Sequence, residues 1–279
     1  MNTLRDAMDK ITQQLTASSD SARLDAELLI STIVQQSRAW LYAHLEQPLS
    51  DEDQSQLKQL ITRRSQGEPM AYILGYKEFW GLKFKVTPDV LIPRPETEHL
   101  LEWILVNFSE TSSLLAADLG VGCGAIALSL AVERSSWRID ATDQSTSALE
   151  IAKQNASTHN VLNVNFYQGT WCDALPQKNY ALLVSNPPYI PDNDPHLQQL
   201  SYEPAQALRS GTDGLDAIRE IINQAPDYLA PAGYLALEHG YNQAREVAKL
   251  FRKNGFSNIQ CHFDLSNQPR FTTANYRAC

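Results

Sequence analysis

Beyond residue 92 the chain alternates between two hydrophobic periodicities, and this alternation constrains its fold more than any other feature. Short strand-like runs ("LLAADLG", "RIDATD", "VNFYQG", "YALLVSNP", "GYLALEHG") are interleaved with helix-period stretches ("AIALSLAVE", "SALEIAKQNASTHN", "LDAIREIINQAPDYL", "QAREVAKLFRKNG"). A chain patterned this way specifies a parallel α/β sheet with helices on both faces. The final strand-like pieces, "NIQCHFDL" and "RFTTANY", have no helix between them, which predicts an antiparallel pair at the sheet edge.

The N-terminal part has a different texture. "TLRDAMDKITQQL", "SARLDAELLISTIVQQ" and "SDEDQSQLKQLITRRSQG" place apolar residues three and four apart, predicting helices. Asp20 and Ser50 are the expected N-caps and Gly67 the expected stop. Residues 1–74 therefore read as a small all-α domain, either a plain bundle or a docking platform for a partner. Residues 75–91, "GYKEFWGLKFKVTPDVL", read as a β-hairpin connector around Gly81, and residues 92–279 as the sheet domain.

Bulk properties narrow the function classes. The formal charge is −9, divided as −3 over residues 1–80 and −6 over the remainder, so no basic footprint for duplex nucleic acid is present. Cys123, Cys172, Cys261 and Cys279 form no CxxC pair, which speaks against a zinc site or a disulfide framework and for a reducing cytoplasm. There is no run of eighteen apolar residues and no apolar segment at the start, so neither a membrane span nor secretion is expected. Nothing in the pattern demands a dimer, and a monomer is the expectation.

"ADLGVGCGAIA" lies between the first strand of the sheet domain and its helix, where such a sheet opens its ligand crevice. Gly120, Gly122 and Gly124 let the backbone turn tightly and approach a ligand. Gly120 to Ala125 also fits G-x-G-x-x-A, the loose form of the dinucleotide fingerprint. Asp118, two residues before the first glycine, argues otherwise: it repels a pyrophosphate but attracts the amino group of a methionine moiety. Asp143, nineteen residues after Gly124, ends the second strand, where a carboxylate accepts hydrogen bonds from a ribose diol. The set describes an S-adenosylmethionine pocket better than a nicotinamide one, although a single strand-end Asp caps a helix just as readily. Trp171, after the third strand, is a candidate to cover the adenine or a simple packing residue.

The fourth strand ends in Asn186-Pro187-Pro188-Tyr189. The prolines remove two backbone donors and hold their neighbours extended, which leaves carbonyls outside the ladder beside the Asn186 amide oxygen. Two convergent acceptors suit an NH2 group, and the Tyr189 ring suits the flat face of the group bearing it. These residues fit methylation of a planar amine or amide, with in-line placement and charge stabilisation supplying the catalysis. No metal is called for. A plain turn after a strand is the bland reading, since Asn-Pro is ordinary there.

The chain resembles the peptide-chain release-factor glutamine methyltransferases over nearly its whole length. The resemblance rests on "SARLDAELL", "LIPRPETE", "DLGVGCGAIALSLA", "ATDQSTSALEIAKQNA", "NPPYI", "YEPAQAL" with "DGLDAIREI", and "LALEHGYNQ". It implies a seven-stranded Rossmann-like class I methyltransferase sheet carrying a helical N-terminal domain. It also implies methyl transfer from S-adenosyl-L-methionine to the side-chain amide of the Gln in the Gly-Gly-Gln motif of class I release factors, with no direct nucleic-acid requirement. Carried over by position, Asp118, Gly120, Val121, Gly122, Cys123, Gly124, Asp143, Trp171 and Asn186 meet the cofactor. Asn186 and the Pro187 carbonyl hold the substrate amide, Pro188 adjoins it and Tyr189 packs on it. The "IPRPETE" segment lines the entrance, with Arg94 and Glu98 open as direct participants and Pro95 a suitable first residue for the following helix. Val121 and Cys123 replace the Thr and small hydroxyl residue commoner in the family, and Ser210 replaces a Gly. Two competing readings are an exocyclic-amine methyltransferase acting on adenine in DNA or guanine in RNA, and a non-catalytic cofactor-binding scaffold. The acidic charge disfavours the first and the intact Asn-Pro-Pro-Tyr the second.

Overall fold

The computed structural model describes residues 3–109 and 113–276, and the chain divides into two compact units, residues 1–76 and 77–279. Cys279 lies outside the described residues.

The first unit is helical: α1 (Leu4–Leu15), α2 (Ala22–Val34), α3 (Arg38–Ala43), α4 (Asp51–Ser65) and α5 (Met70–Leu74). Leu4, Met8, Ile11 and Leu15 of α1 recur at helical spacing and are buried against Leu29 and Ile30 of α2, with Leu57 of α4 in the same core. Ser50 and Asp53 form a reciprocal capping box at the start of α4, satisfying two otherwise orphaned N–H groups. Gly67, with φ 94°, follows the end of α4. The N-cap of α2 is Ser21 rather than Asp20, and the Ser21 hydroxyl donates to Asp25 at 3.1 Å instead of capping the backbone. Asp25, itself buried, is neutralised by Arg64 at 2.7 Å.

After α5 comes a hairpin, β1 (Tyr76–Phe79) and β2 (Leu82–Lys85). Its two-residue turn, Trp80-Gly81, has positive φ at both positions, the backbone twist that closes a tight hairpin. Next comes α6 (Thr97–Asn107), which begins after Glu96; Pro95 therefore precedes the cap instead of occupying the first helical position. Then follow β3 (Leu115–Leu119), α7 (Ala125–Glu133), β4 (Arg138–Asp143), α8 (Thr146–Thr158), β5 (Val164–Gln168), β6 (Tyr180–Ser185), α9 (Asp216–Gln224), β7 (Leu229–Glu238), α10 (Ala244–Lys253), β8 (Phe256–Phe263) and β9 (Pro269–Tyr276).

Among the described residues seven strands form one sheet in the order β5-β4-β3-β6-β7-β9-β8. β3 pairs in parallel with both β4 and β6, so the strand order reverses at β3 and a crevice opens beyond the C-terminal ends of β3 and β6. β9 is antiparallel to both β7 and β8 and lies between them. The last strand of the chain is thus interior, and β8 forms the edge. β3 is near-continuously buried because helices cover both faces, with Ala116, Ala117 and Leu119 fully buried.

Candidate active site

The glycine loop after β3 is held from below by β4. Gly120 and Val121 donate to the Thr142 carbonyl at 2.8 and 2.9 Å, and Gly124 donates back to the Val121 carbonyl at 2.8 Å. Gly120, Gly122 and Gly124 have φ of 78°, 55° and 93°, a region that strains any residue with a Cβ. At Gly120 there is also no room, since a Cβ would stand 2.9 Å from the Trp171 ring. Val121 and Cys123 are buried, and burial pushes the Cys123 thiol up to about 12. The loop is braced from the far side by Asn155 of α8, whose amide donates to the Cys123 carbonyl at 2.8 Å and accepts from Lys85 N–H at 2.7 Å.

Two carboxylates flank this loop. Asp118 accepts from Ala127 N–H at 3.0 Å through one oxygen, and its other oxygen is buried with no partner among the described residues. Burial pushes this carboxyl up to about 7, with the Asp143 charge adding to the shift and the Ala127 N–H opposing it. Asp143 accepts from Gly122 N–H at 2.9 Å and Ser145 N–H at 2.8 Å, one on each oxygen, which leaves lone pairs on both. Burial raises its pKa, against those two N–H groups. Trp171, with φ 44°, closes the side of the loop; its indole donates to Glu220 at 3.2 Å, and its carbonyl accepts from the Thr142 hydroxyl at 3.0 Å.

Asn186 stands at the neighbouring strand end, where the buried Ser185 hydroxyl ties β6 to the Leu119 carbonyl at 2.5 Å. The Asn186 amide donates to the Thr97 hydroxyl at 3.1 Å, and Thr97 donates to Glu238 at 2.7 Å. The Asn186 amide oxygen is buried and without a partner among the described residues. Beyond the prolines the chain pairs again: Ile190 exchanges backbone hydrogen bonds with the Leu208–Ser210 segment at 2.9 Å, and Gln243 donates to the Tyr189 carbonyl at 3.0 Å.

These residues share one cleft of about 930 Å³, open at its mouth, lined by Asp118, Gly120 to Cys123, Asp143, Trp171, Asn186 and Pro188. Three expected residues, Gly124, Pro187 and Tyr189, lie outside this lining. Pro187 is buried, and Tyr189 packs against the core cluster around Leu215 with its hydroxyl 3.5 Å from Glu238. Of the "IPRPETE" segment, Pro93, Arg94 and Thr97 line the cleft. Arg94 is bonded at 2.5 Å to the buried Glu203, whose second oxygen accepts from Ile92 N–H at 3.0 Å. Glu98 instead accepts from Trp80 N–H at the hairpin turn, 2.8 Å away.

Thr97, Glu203 and Glu238 tie the site together and are not among the residues expected from the sequence. Each lies inside a quoted motif, but nothing local marks a Thr or Glu as buried and turned toward a partner more than a hundred residues away. Glu238 is 2% exposed, and burial pushes its carboxyl up to about 7, with Thr97, Arg270 and Tyr189 opposing and Glu96 adding to the shift.

The glycine cradle, the partnerless Asp118 oxygen and the lone pairs of Asp143 fit the donors of S-adenosylmethionine: an ammonium and a ribose diol. Sheet order and cleft together define a Rossmann-like, S-adenosylmethionine-dependent methyltransferase. Solved structures share the fold: a methyltransferase from Pyrococcus furiosus (TM-score 0.54, 18% identity, covering 71% of this chain and 90% of that one). Another is a T. thermophilus 16S rRNA N2 G1207 methyltransferase in complex with AdoMet and guanosine (TM-score 0.56, 16% identity, 72% and 50% covered). Residues 6–75 match the family model "PrmC N-terminal domain", and residues 97–265 match "Methyltransferase small domain". The chain is 52% identical to the release factor glutamine methyltransferase of Coxiella burnetii over 98% of its own length and 99% of that protein's. It is 41% identical to the Salmonella typhimurium enzyme of the same name, with 92% and 94% covered. The chain belongs to the release factor glutamine methyltransferase family.

Proposed function

We propose that this protein transfers a methyl group from S-adenosyl-L-methionine to the side-chain amide nitrogen of the Gln in the Gly-Gly-Gln motif of class I release factors. The observation that carries the reading is Asn186: it shares a cleft with the glycine loop, its nitrogen is engaged by Thr97, and its buried oxygen is left to accept. Full-length similarity to relatives bearing that enzyme name selects Gln over a nucleobase.

S-adenosylmethionine, when bound, supplies an electrophilic methyl on sulfur. Asp118 would attract its ammonium, Asp143 its ribose hydroxyls, and the backbone of Gly120 to Gly124 would lie along it with Trp171 as a wall. An amide nitrogen is a weak nucleophile because its lone pair is delocalised into the carbonyl. The Asn186 oxygen and the Pro187 carbonyl would each accept one hydrogen of the substrate NH2, favouring rehybridisation as the nitrogen–carbon bond forms and the sulfur–methyl bond breaks, with S-adenosylhomocysteine as the leaving group. They act as preorganised acceptors that need no reorientation during transfer. The methylated nitrogen would then lose one of its two protons to solvent at the open mouth of the cleft. Tyr189 would serve as the packed support of this acceptor pair, since its ring sits on the core and its carbonyl is clamped by Gln243. The helical unit of residues 1–74 would dock the release factor; its own core and its separate family match support a distinct role.

Incubation with methyl-labelled S-adenosylmethionine and release factor, its Gln-to-Ala variant, or nucleic acid tests the reading. Label is expected in the release factor alone. Label in nucleic acid but not in release factor would refute it.

A further inference from the structure

Thr97, at the first turn of α6, owns a single hydroxyl hydrogen. At 2.7 Å that hydrogen lies on Glu238 at the end of β7, so the Thr97 oxygen can only accept. It accepts from the Asn186 amide nitrogen at 3.1 Å, and the amide oxygen is therefore the end left unengaged. Both Thr97 and Glu238 are buried, at 4% and 2% exposure, so no competing solvent contact dilutes the directionality. We propose that Thr97 and Glu238 are positioning residues that decide which end of the Asn186 amide faces the substrate. The proposal rests on the reading of Asn186 as an acceptor for the substrate NH2.

The relay has a polarity that a proton reverses. With the proton on Oε2, the oxygen that faces Thr97, Glu238 donates to Thr97, the Thr97 hydrogen turns toward Asn186, and the amide must rotate to receive it. An NH2 then faces the substrate NH2, donor against donor. The groups facing Glu238 are Thr97 and Glu96 at the start of α6, Tyr189 beyond β6 and Arg270 on β9. Burial places the Glu238 titration at about 7, within reach of an activity profile. Asp118 titrates in the same range in the same cleft, but its effect falls on cofactor affinity and is removed by saturating cofactor.

The test compares wild type, Thr97→Ser, Thr97→Val and Glu238→Gln for kcat and KM with a release factor, and for affinity toward S-adenosylhomocysteine. Thr97→Val retains the shape but leaves the Asn186 nitrogen unsatisfied in its competent orientation, so kcat is expected to fall about ten-fold with product affinity unchanged. Thr97→Ser, which keeps the hydroxyl, restores turnover to within about two-fold of wild type. At saturating cofactor the wild-type kcat declines as pH falls through about 7, and this acid limb is absent in Glu238→Gln. Wild-type kcat in Thr97→Val, loss of product affinity along with turnover, or an unchanged acid limb in Glu238→Gln overturns the proposal. Should Thr97→Val fail to fold, the Glu238→Gln profile decides alone. Absence of release-factor methylation by the wild-type enzyme overturns the functional reading and the relay with it, whereas effects confined to the variants bear on the relay only.

Discussion

At the scale of single residues, the proposed roles separate binding from chemistry. Asn186→Ala removes the proposed acceptor of the substrate amide but leaves the glycine loop and Asp143 intact. Its kcat is expected to fall about 100-fold, by analogy with the loss of one preorganised hydrogen-bonding group, while calorimetry finds nearly unchanged cofactor affinity. Asp143→Ala should do the opposite. It removes a carboxylate placed for the ribose and also frees the Gly122 N–H, so cofactor affinity is expected to drop by roughly ten-fold or more, with saturated kcat little changed. The tight turn of the glycine loop was legible because left-handed backbone leaves a local signature. Glu238 left none, because a buried carboxylate is defined by what folds over it.

At the scale of elements, the decisive unit is the β3–loop–α7 turn set against β6. Gly120 has φ 78° and its Cβ direction runs into Trp171, so the turn and the cleft wall are specified together. Gly120→Ala is expected to destabilise the protein by about 1–2 kcal/mol through left-handed strain alone, and to weaken cofactor binding further as the Trp171 ring is displaced. Urea denaturation and calorimetry measure the two effects separately. The strands, the main helices and the hairpin were readable from periodicity and turn residues. The short helices α3 and α5 were not, since six and five residues span too few turns to show a period. The insertion of β9 between β7 and β8 was equally hidden, because pairing order is decided between strands and not within them.

At the scale of the whole molecule, two buried carboxyls with raised pKa give the stability a pH dependence. Asp118 and Glu238 are each pushed up to about 7, so the folded state binds their protons more tightly than the unfolded chain does. Their contribution is fully present below about pH 4 and is lost as pH rises through about 7. His239 and His262, lowered by burial, act in the opposite direction below pH about 6.5. The clean measurement is therefore a difference: ligand-free Asp118→Asn should gain on wild type steadily from pH 5 to pH 8, reaching on the order of 2 kcal/mol. Thermal and urea denaturation across that range check it, and a constant difference would count against the shift.

Much of this protein was already decided by local order along the chain. Alternating periodicities dictated a parallel sheet, the glycines after a strand dictated a tight left-handed loop, and the paired prolines dictated where the fourth strand stops. Each of these follows from steric and hydrogen-bonding rules acting over a few residues. The tertiary structure alone decided how Asn186 presents its amide. Thr97, Asn186 and Glu238 come from three elements separated by 89 and 52 positions, and their hydrogen bonds exist only once α6, β6 and β7 are packed. In the proposed relay the Asn-Pro-Pro-Tyr motif supplies the acceptor, and a buried carboxylate reached through one hydroxyl orients it.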